Sequence, residues 1–80
     1  MSRPVKRSVS IAGHRTSVAL EPEFWNAVDA LCAREGLSLA AFVARIDGAR
    51  VRDGSDTGLA GALRLHVLHA ARRGDIPAAD

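Results

Sequence analysis

Carboxylates are missing from the first quarter of this chain. Residues 1 to 20 carry Arg3, Lys6, Arg7 and Arg15 and no Asp or Glu. Residues 21 to 80 hold seven basic and nine acidic groups, so the formal charge of +2 is an excess confined to one end. Such a bias points to an anionic partner at that end. Cysteine is nearly absent too: Cys32 stands alone, which excludes a disulfide framework. No stretch approaches the roughly 18 apolar residues of a membrane span. Met1–Gly13 is basic and polar and lacks the apolar core of a signal peptide, so the cytosol is the expected compartment.

Catalytic constellations are missing as well. No Ser/His/acid or Cys/His set is visible and no glycine loop is built to cradle a phosphate, so an enzyme is not expected. His66 and His69 lie three apart but lack carboxylates at ligand spacing, so neither a metal nor another cofactor is expected. With 80 residues the chain is short. A chain of that size buries only about 60% of its unfolded surface, and such chains lean on a disulfide, a metal or a partner subunit. The first two being absent, a homodimer is the expected remedy, with a higher oligomer left open. The apolar content of 48% supplies surface for it.

What is present is ordered. His14–Leu20 alternates, with Thr16, Val18 and Leu20 on one face and Arg15, Ser17 and Ala19 on the other, as in a half-buried strand. Glu21-Pro22-Glu23 opens a helix, since proline suits the first helical position and carboxylates suit the positive end of the dipole. Phe24, Val28, Leu31 and Cys32 form its buried stripe, with Trp25 beside them. These aromatics read as core rather than stacking platforms. Gly36 ends the helix, with Leu37 placed to fold back in a Schellman motif. Ser38 is an N-cap for a second helix with Leu39, Phe42, Val43 and Ile46 on its apolar side and Gly48 near its end. Arg50 to Gly58 reads as a loop. A third helix over about 59–73 carries Leu59, Leu63, Val67 and Ala70 as one stripe, with Leu65 and Leu68 to the side. That wide apolar arc predicts more than one covering neighbour. Gly74 ends it and a tail, 74–80, follows.

One strand, a helix, a Gly-Leu-Ser turn and a second helix is the order of the ribbon-helix-helix repressors. The chain resembles a bacterial subgroup of small ribbon-helix-helix proteins in Lys6-Arg7-Ser8-Val9, Gly13-His14-Arg15-Thr16-Ser17-Val18, Phe24-Trp25, Gly36-Leu37-Ser38-Leu39 and Ala62-Leu63-Arg64-Leu65. The resemblance implies a mostly α fold with an N-terminal strand, in which 14–73 is a ribbon-helix-helix domain with an additional C-terminal helix. It also implies an intertwined homodimer whose ribbon pairs one strand from each subunit. Thr16, Val18, Leu20, Phe24, Trp25, Val28, Leu31, Phe42, Val43 and Ile46 would build the shared core. Arg15, Ser17 and Ala19 would face the DNA major groove, which admits a two-stranded ribbon. Ser38, at a helix start rich in free donors, would anchor a phosphate. Lys6 and Arg7 would add phosphate contacts.

Residues 1–13 leave two alternatives open, a basic arm or an extra strand. Val9 and Ile11 have parity opposite to Val18 and Leu20, so one uninterrupted strand would point them at the groove. Either a glycine bulge bends a single strand, or a hairpin turns at Ala12-Gly13 and pairs Ile11 with His14, Val9 with Thr16 and Arg7 with Val18. In the hairpin, Lys6, Ser8, Ser10, Arg15 and Ser17 share the polar face. Two such hairpins in a dimer would make four strands, which enter a roughly 12 Å groove with difficulty. Two functions therefore stand beside each other. One is a DNA-binding repressor; the other is a protein-interaction module, antitoxin-like or an assembly partner, docking through the third helix.

Overall fold

A computed structural model of the chain describes residues 3–76; residues 1–2 of the basic arm and 77–80 of the expected tail lie outside the described residues. The elements are β1 (Val5–Ile11), β2 (His14–Leu20), α1 (Pro22–Glu35), α2 (Leu39–Arg52) and α3 (Leu59–Arg72). The expected strand and three helices are present, and the hairpin alternative is the one observed. β1 and β2 pair antiparallel as a two-stranded sheet, with Val5 opposite Leu20, Arg7 opposite Val18, Val9 opposite Thr16 and Ile11 opposite His14.

The turn explains why this pairing is hard to read from composition. Ala12 and Gly13 both have positive φ, at 50° and 83°. Positive φ at both central residues marks a type I′ turn, whose twist matches that of the flanking strands. Glycine adopts this region freely, whereas alanine does so at a cost of about 1–2 kcal/mol. Packing of the hairpin on the helices outweighs that cost, because Val9, Val18 and Leu20 are all buried.

Three helices cover one face of the hairpin, α2 chiefly against β1 and α3 against β2, while α1 touches β2 and both other helices. α1 begins with Pro22 in its first turn and Glu21 in extended conformation ahead of it. It ends at Gly36, with φ 66°, where the Leu37 amide donates to the Cys32 carbonyl at 3.0 Å, the long Schellman bond. Its buried residues are Trp25, Val28, Leu31 and Cys32, so Trp25 (2% exposed) lies on the stripe and Phe24, half-buried, is the one to the side. The anchor comes from β1: the Trp25 indole N–H donates to the Val5 carbonyl at 2.7 Å, which turns the ring under the hairpin.

Ser38 caps α2, its hydroxyl accepting from the Ala41 amide at 3.1 Å. This helix passes through Gly48 and runs to Arg52, shortening the expected loop. Arg50, read as loop, instead holds the last turns: it pairs with Asp47 at 2.8 Å and donates to the Thr57 carbonyl at 3.3 Å. In α3, Leu63, Val67 and Ala70 are buried as expected, with Leu59 packed against the core. Leu65 and Leu68 remain 47% and 49% exposed, so the wide apolar arc is only partly covered within the chain.

The two-stranded sheet is formed within one chain. β2 has its partner in the same chain, and Leu20, Val28, Phe42, Val43 and Leu63 are fully buried by that chain alone. Of the residues expected in a shared core, all but the half-buried Thr16 and Phe24 are buried within the chain.

Candidate nucleic-acid interface

The hairpin has two unlike faces because side chains alternate along each strand. Towards the helices point Val9, Ile11, Thr16, Val18 and Leu20. Away from them point three cross-strand pairs: Lys6 with Ala19, Ser8 with Ser17 and Ser10 with Arg15. All six side chains except half-buried Ala19 are exposed. Lys6 and Arg15, at opposite ends of the face, make no ion pair or hydrogen bond with any described residue.

Arg7 does not belong to that face. Its guanidinium donates twice to Asp29 of α1, at 2.8 and 3.1 Å, and stacks over the Trp25 ring at 4.5 Å. The Asp29 hydrogen bond raises its already high pKa further. Arg7 is thus a strap between β1 and α1, and its charge is matched rather than offered to a phosphate. Besides Arg50, four other arginines are used in the same way on the helical side. Arg64 clasps Glu21 at 2.9 Å, Arg45 meets Glu35 at 2.6 Å, and Arg34 and Arg73 both reach Asp75. Arg64 joins the strand-to-helix corner to α3; the backbone amide of Glu21 itself, and after it Arg64, holds that carboxyl below the usual carboxylate range.

The expected reading residues are therefore divided by the structure. Lys6, Arg15, Ser17 and Ala19 lie on one polar face, joined by Ser8 and Ser10, which parity alone could have added to the candidate set. Ser38 belongs to another element and has a structural duty as the cap of α2. Thr16 faces the helices opposite Val9 and is half-buried. Asp29, which neutralises Arg7, carries no signal in the sequence, since the two are 22 residues apart.

Nothing else on the described surface offers chemistry of comparable definition. Cys32 is buried, and burial pushes its thiol pKa up, away from the reactive thiolate. Among the described residues no three His, Cys, Asp or Glu side chains group as metal ligands, and no helix is long and apolar enough to cross a membrane.

A polar two-stranded ribbon laid over an α1–α2 pair joined by a capped Gly-Leu-Ser turn is the signature to compare with known proteins. The model of the ribbon-helix-helix domain family matches residues 4–71, nearly the whole chain. The chain belongs to the ribbon-helix-helix domain family. A search of curated proteins finds no match. Among solved structures, an uncharacterized protein from Bordetella pertussis Tohama I is similar, at 29% identity and a TM-score of 0.73. The likeness covers 94% of this chain and 63% of that one, so this chain spans somewhat less than two thirds of its neighbour's length. Ribbon-helix-helix membership points to a DNA-binding or related regulatory role on a fold that is not an enzymatic one.

Proposed function

We propose that this ribbon-helix-helix protein is a cytoplasmic transcriptional repressor that reads duplex DNA with the outward face of its hairpin. The observation that carries this is the pairing of shape with charge. A two-stranded ribbon fits the major groove, and its free face bears Lys6 and Arg15 among serines, with no carboxylate before Glu21 to repel phosphate. Arg15 suits a bidentate contact to guanine and Ser17 can bond either base edge, while Ala19 can meet only a thymine methyl. The Ser38 helix start would add a phosphate contact outside the ribbon.

A mobility-shift titration of the purified protein against selected and scrambled duplexes at two salt concentrations tests this. Tighter binding to the selected duplex, weakening as salt rises, is the expected result. The second reading, a docking module for another protein, draws on one observation: Leu65 and Leu68 stay about half exposed on α3. Absence of any DNA shift, together with a partner whose binding is lost in Leu68→Glu, would favour it.

A further inference from the structure

We infer that Trp25 is a positioning residue for DNA binding: its indole N–H clamps the open end of the hairpin and so holds Lys6 where it can meet a phosphate. This rests on the DNA-reading role proposed above and deepens it by naming what fixes one cation of the outward face. The two cations of that face are placed differently. Arg15 lies beside the two-residue turn, where the chain itself keeps the strands together. Lys6 lies opposite Ala19, next to the last pair of the ladder, Val5 with Leu20. A hairpin frays from its open end, where residues have paired neighbours on one side only. Lys6 therefore needs a tether that Arg15 does not.

The tether reaches Lys6 through both of its neighbours, and both meet one ring. Val5 is 46% exposed, so its side chain buries little and its main chain is the part that is held. Its carbonyl accepts from the Trp25 indole N–H at 2.7 Å. On the other side of Lys6, the Arg7 guanidinium stacks over the same indole at 4.5 Å while donating to Asp29. Side chains alternate along a strand, so with Arg7 turned to α1, Lys6 is turned away from it and is exposed. Arg7 lies deeper in the ladder, opposite Val18, whereas Val5 is its last residue. The carbonyl bond is thus the one that secures the strand end.

The anchor is itself fixed. Trp25 is 2% exposed, and its amide donates to the Glu21 carbonyl at 3.1 Å in the first turn of α1. Glu21 is in turn clasped by Arg64 of α3 at 2.9 Å. A buried indole N–H requires an acceptor, and the Val5 carbonyl is the one it has among the described residues. Without that bond the backbone around Lys6 would have to be ordered at the moment of DNA binding. Ordering one residue corresponds to an affinity loss of roughly five- to thirtyfold. Because phosphate contacts carry no base information, the loss is the same on every sequence.

Two variants of the full chain test this. Trp25→Phe keeps an aromatic ring under the hairpin and removes the donor. Replacing Trp25 with 3-benzothienylalanine by chemical synthesis keeps the shape of the indole and removes only the N–H, and it decides the matter if Trp25→Phe does not fold. With the helical signal intact, the nitrogen-15 order parameter of the Lys6 amide should fall from about 0.85 towards 0.6. Affinity for selected and scrambled duplexes should fall alike, by roughly fivefold or more. In a Lys6→Ala background the change at Trp25 should have no further effect, while in an Arg15→Ala background it should keep its full effect. An unchanged order parameter or an unchanged affinity overturns the proposal. An equal loss with and without Lys6 also overturns it, leaving Trp25 a residue of the core alone. If the native chain shifts no duplex, the DNA-reading role falls and the share of Trp25 in it too, while the order parameter still decides whether the bond fixes the strand end.

Discussion

The two faces of the hairpin, formed by the same fourteen strand residues, treat charge in opposite ways. On the inner face Arg7 is paired: Asp29 accepts two of its hydrogen bonds and Trp25 lies against its flat side. On the outer face its neighbour Lys6 has no described partner, nor has Arg15. A cation whose charge is matched inside the molecule has little left for a phosphate, so adjacent basic residues of one strand have different work. Position relative to the pleat, not local charge density, separates the strap from the candidate reader.

The largest effect should come from placing the same charge on each face. Leu20→Asp puts an unpaired carboxylate into the fully buried core and should unfold the chain, seen as loss of the far-ultraviolet helical signal. Ser17→Asp, on the exposed face, should leave the melt nearly unchanged and abolish the DNA shift. Equal melting of the two variants would erase the distinction between the faces.

Arg15→Ala should weaken binding to a selected duplex by about 1–3 kcal/mol, with a smaller loss on scrambled DNA. Equal losses on both duplexes would make Arg15 a phosphate contact. Ser38→Ala removes the bond to the Ala41 amide and should cost about 0.5–2 kcal/mol in urea unfolding. If that helix start also holds phosphate, affinity should fall alike for every sequence.

Arg7 and Lys6 sharpen the comparison further. Arg7→Ala should lower stability by up to about 1 kcal/mol, the range of an exposed ion pair, and leave the salt dependence of DNA binding unchanged. Lys6→Ala should do the reverse, reducing the salt slope by about one without altering the melt. The opposite assignment in paired titrations would place the phosphate contact on the inner face.

The smallest effect is one of pH. Burial lowers the pKa of His66 from its ordinary 6.5, and Arg45, Arg73 and His69 reinforce the shift against the opposing pull of Glu35. The ring also stands edge-on to Phe42 at 5.3 Å. The folded state thus favours neutral imidazole. The contribution is full above about pH 6.5 and is lost as pH falls through the lower folded value. Urea melts at pH 7.5 and pH 5 should show a decline that His66→Gln reduces. An unchanged decline would clear His66 of it.

Much of this architecture was legible in the sequence because periodicity reports which face of an element is wet. Thr16, Val18 and Leu20 against Arg15 and Ser17 defined β2, while Pro22, Gly36 and Ser38 marked helix ends through their own backbone chemistry. The hairpin was legible only as one of two alternatives. Ala12 lacks the left-handed preference of Asn, so packing of Val9 and Val18 had to decide the turn. Phe24 and Trp25, adjacent on a helix, fit the stripe about equally well by spacing; the Val5 carbonyl selects Trp25. Sequence alone groups Arg7 with Lys6, because it shows charges and not their distant partners. Gly48 looked like the end of α2, but the Arg50 bonds to Asp47 and Thr57 carry the helix past it.

The Ala12–Gly13 turn also bears on how the ribbon comes to exist in time. Its strands are neighbours along the chain, so pairing them closes a two-residue loop, an event of about 1–10 μs for a hairpin and one that carries little loop entropy. A ribbon assembled between two chains must wait for a collision, and its rate falls with dilution. Here β1 and β2 can meet within one chain, with no collision needed to bring these two strands together.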